Sequence, residues 1–194
     1  MRRLLFFALL FPSLSGADIY LEPSVGYVLG KYKGSVTVGS PALFAGEEIP
    51  LKQDAKGFGY RAKLGWTNDF LAVGVDVALA STTGKEDGSP DTKYNSTDMG
   101  VFAQLDLPVL PFKFAATYVL SSRVKTKQSG NDDAEMTGKG LKIGAGFTGL
   151  PFLSINLDYV MSNYDDYKTE GWEFSKKDID YTATILSVSL PLSL

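Results

Sequence analysis

The 194-residue chain contains no cysteine and no histidine. Without cysteine there is no disulfide framework. Without histidine there is no Ser-His catalytic triad, no imidazole metal site and no side chain that titrates unperturbed near neutral pH. Charge is low and tilted to acid, with 19 basic against 22 acidic residues. That balance argues against nucleic acid as a partner, because phosphate binding needs a basic surface. Long apolar runs are also missing. The longest, Leu4 to Phe11, is far short of the ~20 residues a helix needs to cross a bilayer, and beyond it charges interrupt the chain throughout.

What is present begins with a leader. Arg2 and Arg3 precede the apolar run, and Ser15-Gly16-Ala17 puts small residues where a signal peptidase reads. The expected division is a cleaved signal peptide at 1–17 and one domain at 18–194. Loss of Arg2 and Arg3 lowers the basic count from 19 to 17 against 22 acidic residues, a net −5.

The domain is dominated by strict period-two alternation, the signature of a half-buried strand, recurring about eight times. Phe58, Tyr60, Ala62, Leu64 and Trp66 alternate with Gly57, Gly59, Arg61, Lys63 and Gly65. Leu71, Val73, Val75, Val77 and Leu79 alternate with Ala72, Gly74, Asp76 and Ala78. The same split runs through 98–107, 112–121, 141–148 and 153–162. One face is aliphatic or aromatic; the other is small, with a few charges. The last strand changes phase between Ile179, Tyr181, Ala183, Ile185 and Leu186, Val188, Leu190, which predicts a β-bulge near Ile185-Leu186.

Connections alternate in length. Short turns are expected at Asn68-Asp69, Pro108 to Pro111 and Gly149 to Pro151, and long polar loops at 31–56, 82–97, 122–138 and 163–178. Short turns at one end and long loops at the other describe an outer-membrane barrel. A soluble barrel would put its apolar face inside and cover its exterior with charge. Here the non-apolar face is too small and too sparsely charged for a solvated exterior, and fits the crowded lumen of eight strands. The expected fold is therefore all-β, an eight-stranded antiparallel up-and-down transmembrane β-barrel.

That lumen would hold Glu22, Asp76, Asp98, Asp106 and Asp158 against Arg61, Lys63, Lys113 and Lys142, a nearly neutral set. Folding about the short turns places Arg61 opposite Asp76, Asp106 opposite Lys113 and Lys142 opposite Asp158. Paired charges are tolerable inside and orphans are costly, so a structural staple is the expected role and an ion path the sharper alternative. Trp66, Phe112, Phe147 and Phe152 near the turns, and Tyr27, Phe58, Tyr60, Tyr118 and Tyr159 nearer the loops, suit two interfacial girdles.

Other motifs carry little. Gly144-Ala-Gly-Phe-Thr-Gly149 matches a dinucleotide fingerprint, yet a strand rather than the required helix follows it. Asn131-Asp132-Asp133 with Glu135, and Asp165-Asp166, lack the spacing of a cation loop. No catalytic group, metal or cofactor is expected.

The leader, the opening Ile19-Tyr-Leu-Glu-Pro-Ser-Val-Gly-Tyr27 and the alternating strands resemble the small OmpA/OmpX-like outer-membrane β-barrel family. The resemblance covers residues 18–194 and implies a non-catalytic outer-membrane barrel with an envelope-structural role. It also implies contact with outer-membrane lipid and lipopolysaccharide, and delivery by periplasmic chaperones and the outer-membrane insertion machinery. The alternatives are an adhesin or receptor acting on a surface ligand through the loops at 31–56 and around Trp172, and a narrow channel for small solutes.

Overall fold

The computed structural model describes residues 18–40, 46, 48–85, 91–107, 109–128, 134–169 and 173–194. The leader, Pro108, Asn131-Asp132-Asp133 and Trp172 lie outside the described residues. Alternation becomes strand wherever it was expected: β1 (Asp18–Ser40), β2 (Glu48–Thr67), β3 (Leu71–Lys85), β4 (Thr92–Leu107), β5 (Phe112–Gln128), β6 (Ala134–Leu150), β7 (Leu153–Thr169) and β8 (Glu173–Ser189). Each pairs antiparallel with its neighbours in sequence, and β1 closes the sheet by pairing with both β2 and β8. A two-residue strand, β9 (Leu192–Ser193), continues β8 past Pro191 and pairs with Tyr20 and Leu21. The result is a closed eight-stranded antiparallel barrel. Closure leaves no edge of unpaired backbone groups, the condition for strands to sit in hydrocarbon.

The apolar face points outward. Phe58, Tyr60, Leu64 and Trp66 on β2 are 52–66% exposed, and Val75, Leu79, Val101, Phe114, Ile143, Leu157 and Leu186 are exposed around the circumference. On β2 this belt runs from Phe58 to Trp66, and on β7 from Leu153 to Met161, spans close to the ~9–11 residues that a tilted strand needs to cross a bilayer core. Soluble monomers rarely expose apolar patches beyond a few hundred Å². A continuous belt is stable only against hydrocarbon, so the barrel spans a membrane. Tyr27 with Phe58 (5.2 Å between ring centroids) and Phe112 with Phe147 (5.7 Å) mark its two rims.

Two expectations need correction. The regions read as long loops are mostly strand: β1 runs 23 residues, and the β1–β2 ladder continues from Leu29–Lys56 up to Thr37–Glu48. Beyond the belt the outward face loses its apolar run, so the alternation that marked the strands fades from the sequence while the ladder persists. The expected bulge at Ile185-Leu186 is absent, since β8 pairs continuously with β1 and β7 there. Ile179, Tyr181, Ala183 and Ile185 instead share the inward phase of Ser187 and Ser189, and the apparent slip was an apolar stretch of lumen. A bulge does occur in β5, where Met99 faces Ser121 and Gly100 faces Val119. The extra residue, Leu120, turns Ser121 outward and Ser122 and Val124 inward.

Candidate functional site

The site is the lumen, and turn chemistry decides its register. Asn68 Oδ1 accepts from the backbone N–H groups of Phe70 (3.0 Å) and Leu71 (2.8 Å), so Asn68 is the first corner and Asp69-Phe70 form the turn. The ladder is thereby shifted by two from the expected one. Lys63 faces Asp76, and Arg61 faces Ala78. At the third turn Leu150 pairs with Leu153 across Pro151-Phe152, with Phe152 at φ 62° and a register shift after Phe147. Asp158 therefore faces Gly144, and Lys142 faces Val160. Asp106 does face Lys113 as expected.

All nine charged residues expected in the lumen lie on the inward face, but their partners come mostly from across the barrel. Nearest the turn end, Glu22 is 2% exposed. Its Oε2 accepts from Lys63 Nζ (2.9 Å) and Tyr20 Oη (2.7 Å), and its Oε1 from Ser189 Oγ (2.5 Å) and Lys113 Nζ. Lys113 thus crosses to Glu22, while Asp106 accepts from Gln104 Nε2 (3.2 Å). Gln104 also joins Tyr20 (2.9 Å) and Lys63 (3.0 Å). Every lone-pair direction of the Glu22 carboxylate has a donor.

The next layer is centred on Arg61. Its guanidinium reaches diagonally to Asp76 through Nε (2.7 Å) and Nη2 (2.5 Å), to Thr117 Oγ1 (3.0 Å), and through Nη1 to Asp158 (3.3 Å). Lys142 lies 3.7 Å from Asp76. So Asp76 and Arg61 do pair, as a fork–fork contact between diagonal neighbours. Lys142 and Asp158 each turn to a partner other than the expected one.

Glycine makes room for this layer. A Cβ on Gly144 would sit 2.1 Å from Asp158 Oδ1, and one on Gly146 would sit 2.7 Å from Lys113 Cε. The glycine-rich stretch in β6 clears the lumen for those two side chains.

Between these layers and the upper lumen a cavity of about 50 Å³ is lined by Arg61, Lys142 and Asp158 together with Tyr164 and Tyr181. Beyond the belt the lumen closes again around buried Tyr32, Tyr94, Met136, Tyr164 and Ile179. Tyr32 stacks on Tyr94 (4.9 Å) and packs on Tyr181 (4.5 Å). Tyr164 shares a hydrogen bond with Ser122 (2.9 Å), whose hydroxyl donates to Asp98 (2.7 Å). Burial drives the hydroxyl pKa values of Tyr32, Tyr164 and Tyr181 well above the ordinary tyrosine range, and the Asp98 carboxylate pushes the same way. This plug escaped the sequence reading. Its signal was available, because Tyr32, Tyr94 and Tyr164 continue the inward phase of Glu22, Asp98 and Asp158.

Two of the acidic residues weighed for cations have other contacts. Glu135 bonds Arg123 (3.0 Å), and Asp166 bonds Lys168 (3.0 Å).

Belt, closed ladder and ion-paired interior define the class, a membrane-spanning β-barrel with a charged, ion-paired lumen. No protein-family model matches the chain, and no curated protein matches it in sequence. In three dimensions it has the fold of the small outer-membrane barrels. It is similar to Neisserial surface protein A (TM-score 0.56, 18% identity, 90% of this chain and 98% of that one). It is also similar to OprG from Pseudomonas aeruginosa (TM-score 0.58, 10% identity, 92% and 97%). A third such structure is Ail, the attachment invasion locus protein of Yersinia pestis (TM-score 0.53, 13% identity, 90% and 99%). At these identities the likeness is one of fold.

Proposed function

We propose that the protein is a non-catalytic integral barrel of a Gram-negative outer membrane, with a structural role in the envelope and its long hairpins outside the cell. The observation that carries this reading is the combination of an apolar exterior with a lumen blocked at successive levels by Glu22, by Arg61 and by the tyrosine plug. A conduit for solutes needs a continuous path, and the packed charges argue against one. Outer-membrane lipid, lipopolysaccharide, periplasmic chaperones and the insertion machinery are the partners such a barrel requires. Two measurements test the proposal. Protein extracted from outer membranes should migrate differently on gels before and after boiling, as folded barrels do, and planar-bilayer recordings should show no steady conductance. A regular open state would replace the structural role with that of a channel.

A second reading is favoured by the hairpins. The β1–β2 ladder rises from Lys31–Asp54 to Thr37–Glu48 beyond the belt, giving a two-stranded platform on which a surface ligand could dock. Removing residues 35–50 should then abolish cell binding by otherwise folded protein. If adhesion is unchanged by that deletion and by deletions in the other hairpins, the adhesin reading fails.

A further inference from the structure

The nine charges inside the barrel do not balance layer by layer. At the turn end Glu22 and Asp106 stand against Lys63 and Lys113, and the set is neutral. Above them Asp76, Asp98 and Asp158 stand against Arg61 and Lys142, an excess of one negative charge. Arg61 and Lys142 both go to Asp76, and Arg61 also reaches Asp158. Asp98 is left over. It makes no ion pair among the described residues, and its one contact is the hydroxyl that Ser122 donates to Oδ1 (2.7 Å). A carboxylate held inside a barrel without a counter-charge is costly.

Asp98 lines the cavity of about 50 Å³. The hollow exists because small residues follow one another around the wall: Ser96 faces Ala80, Ala80 faces Gly59, Gly59 faces Gly26 and Gly26 faces Ser187. Ser187 is 8% exposed, lines the same cavity, and its hydroxyl has no hydrogen-bond partner among the described residues. The Ser96 hydroxyl, also on the cavity, has none either. Buried polar groups without partners are few in native proteins and call for an explanation. Lys142 lines the cavity too, and its nearest carboxylate oxygen, on Asp76, is 3.7 Å from Nζ, beyond hydrogen-bond reach. Val28, Val160 and Ile185 make the wall partly apolar, which raises the cost of a bare charge.

We infer that this cavity holds a monovalent alkali cation, bound by the Asp98 carboxylate and, directly or through water, by the hydroxyls of Ser96 and Ser187. Charge and volume choose the occupant. An anion would add to the excess. A divalent ion would overcompensate it, and a hard ion such as calcium asks for about six to eight oxygens. One water needs roughly 10–15 Å³ by the same measure, so the space admits an ion with about two or three waters and nothing as large as a sugar. Those waters also give Lys142 its acceptors. The oxygens come from β4 and β8, on opposite sides of the barrel, so no spacing in the sequence announces the site.

The test uses the whole barrel in phosphatidylcholine vesicles and reads its urea midpoint in sodium chloride against choline chloride at equal ionic strength, choline being too large for the cavity. Sodium should raise the midpoint as a ligand of the folded state does, and choline should not. Asp98→Asn keeps the acceptor for Ser122 and removes the excess charge. It should therefore unfold at a higher midpoint than the unaltered barrel in choline, and respond no more to sodium than to choline. Asp69→Asn, an equal charge change at the exposed first turn, should keep the sodium response. A second measurement needs no variant: thallous ion, a heavy monovalent probe, diffused into crystals of the unaltered barrel should give an anomalous scattering peak beside Asp98. Equal midpoints in the two salts would overturn the site and leave a proton on Asp98 as what balances the layer. A sodium response that survives Asp98→Asn, or a thallous peak found only elsewhere, would overturn it as well.

Discussion

At the scale of single residues, Glu22 is the point on which the turn end of the lumen depends. Two ammonium groups, a phenol and a serine hydroxyl converge on one carboxylate that is almost inaccessible to water. Glu22→Gln keeps the size but leaves Lys63 and Lys113 without a counter-charge. Breaking one partner of a buried pair costs about 3–5 kcal/mol, and urea unfolding in lipid vesicles should show a loss of that order. A companion Lys113→Met, which removes one stranded charge, should recover part of it. A loss under about 1 kcal/mol, typical of an exposed pair, would mean that water already screens the site. That the nine charged residues face inward was legible in the sequence, because period two assigns faces without any register. Which residues pair was not: Lys and Arg side chains are long enough to cross an eight-stranded lumen, so Lys113 bypasses Asp106, its direct opposite, for Glu22.

At the scale of elements, the turns hold the information that alternation lacks. A displaced corner at Asn68 shifts a ladder by two, preserving every face while changing every partner. The third turn is strained in a way that can be measured. Phe152 has φ 62°, a region that bulky L-residues avoid at a cost of roughly 1–2 kcal/mol. Phe152→Gly should therefore be neutral or stabilising by up to about 1 kcal/mol in the same unfolding assay, once the greater freedom of glycine in the unfolded chain is allowed for. A clear destabilisation would assign the exposed ring an anchoring role at the membrane interface that outweighs the backbone strain. The hairpins were misread for the opposite reason. Above the belt the exposed face loses its run of apolar residues while the inward face carries the tyrosine plug, so the ladder runs on without the outward apolar period that marked it below.

The tyrosine plug is an element of its own, and its chemistry predicts a pH response. Tyr32, Tyr164 and Tyr181 are buried together facing Asp98, so they hold their protons more tightly folded than unfolded. Below the unfolded tyrosine pKa of about 10 both states are protonated and stability is unaffected. Above it the unfolded chain ionises first, so the plug's contribution falls as pH rises. Tyrosinate absorbance of the folded barrel should thus lag behind that of the unfolded chain above about pH 10, and hydrogen exchange in the upper halves of β1, β7 and β8 should accelerate there before the belt opens. Coincident titration of folded and unfolded protein would show that the plug is wet.

At the scale of the whole molecule, the lumen is closed by chemically different layers that do not share residues. Charges at Glu22 and Arg61 seal it within the membrane, and aromatic rings seal it above, with the small cavity between. Each layer has its own hydrogen bonds and packing, so removing one should not open the others. The variant with Tyr32, Tyr94, Tyr164 and Tyr181 all changed to Ala should lose stability, since large aromatic truncations cost about 3–5 kcal/mol each when fully buried. It should still conduct no ions, because the guanidinium–carboxylate layer remains. Replacing Arg61 and Asp76 together by Ser removes opposite charges at once, leaving Lys142 and Asp158 as an oppositely charged remainder, and should likewise stay silent because Glu22 with Lys63 and Lys113 still blocks the turn end. Single-channel recording decides the matter. Steady current from either variant alone would mean that one layer is the gate, and the barrel would then be a channel held shut rather than a plugged scaffold.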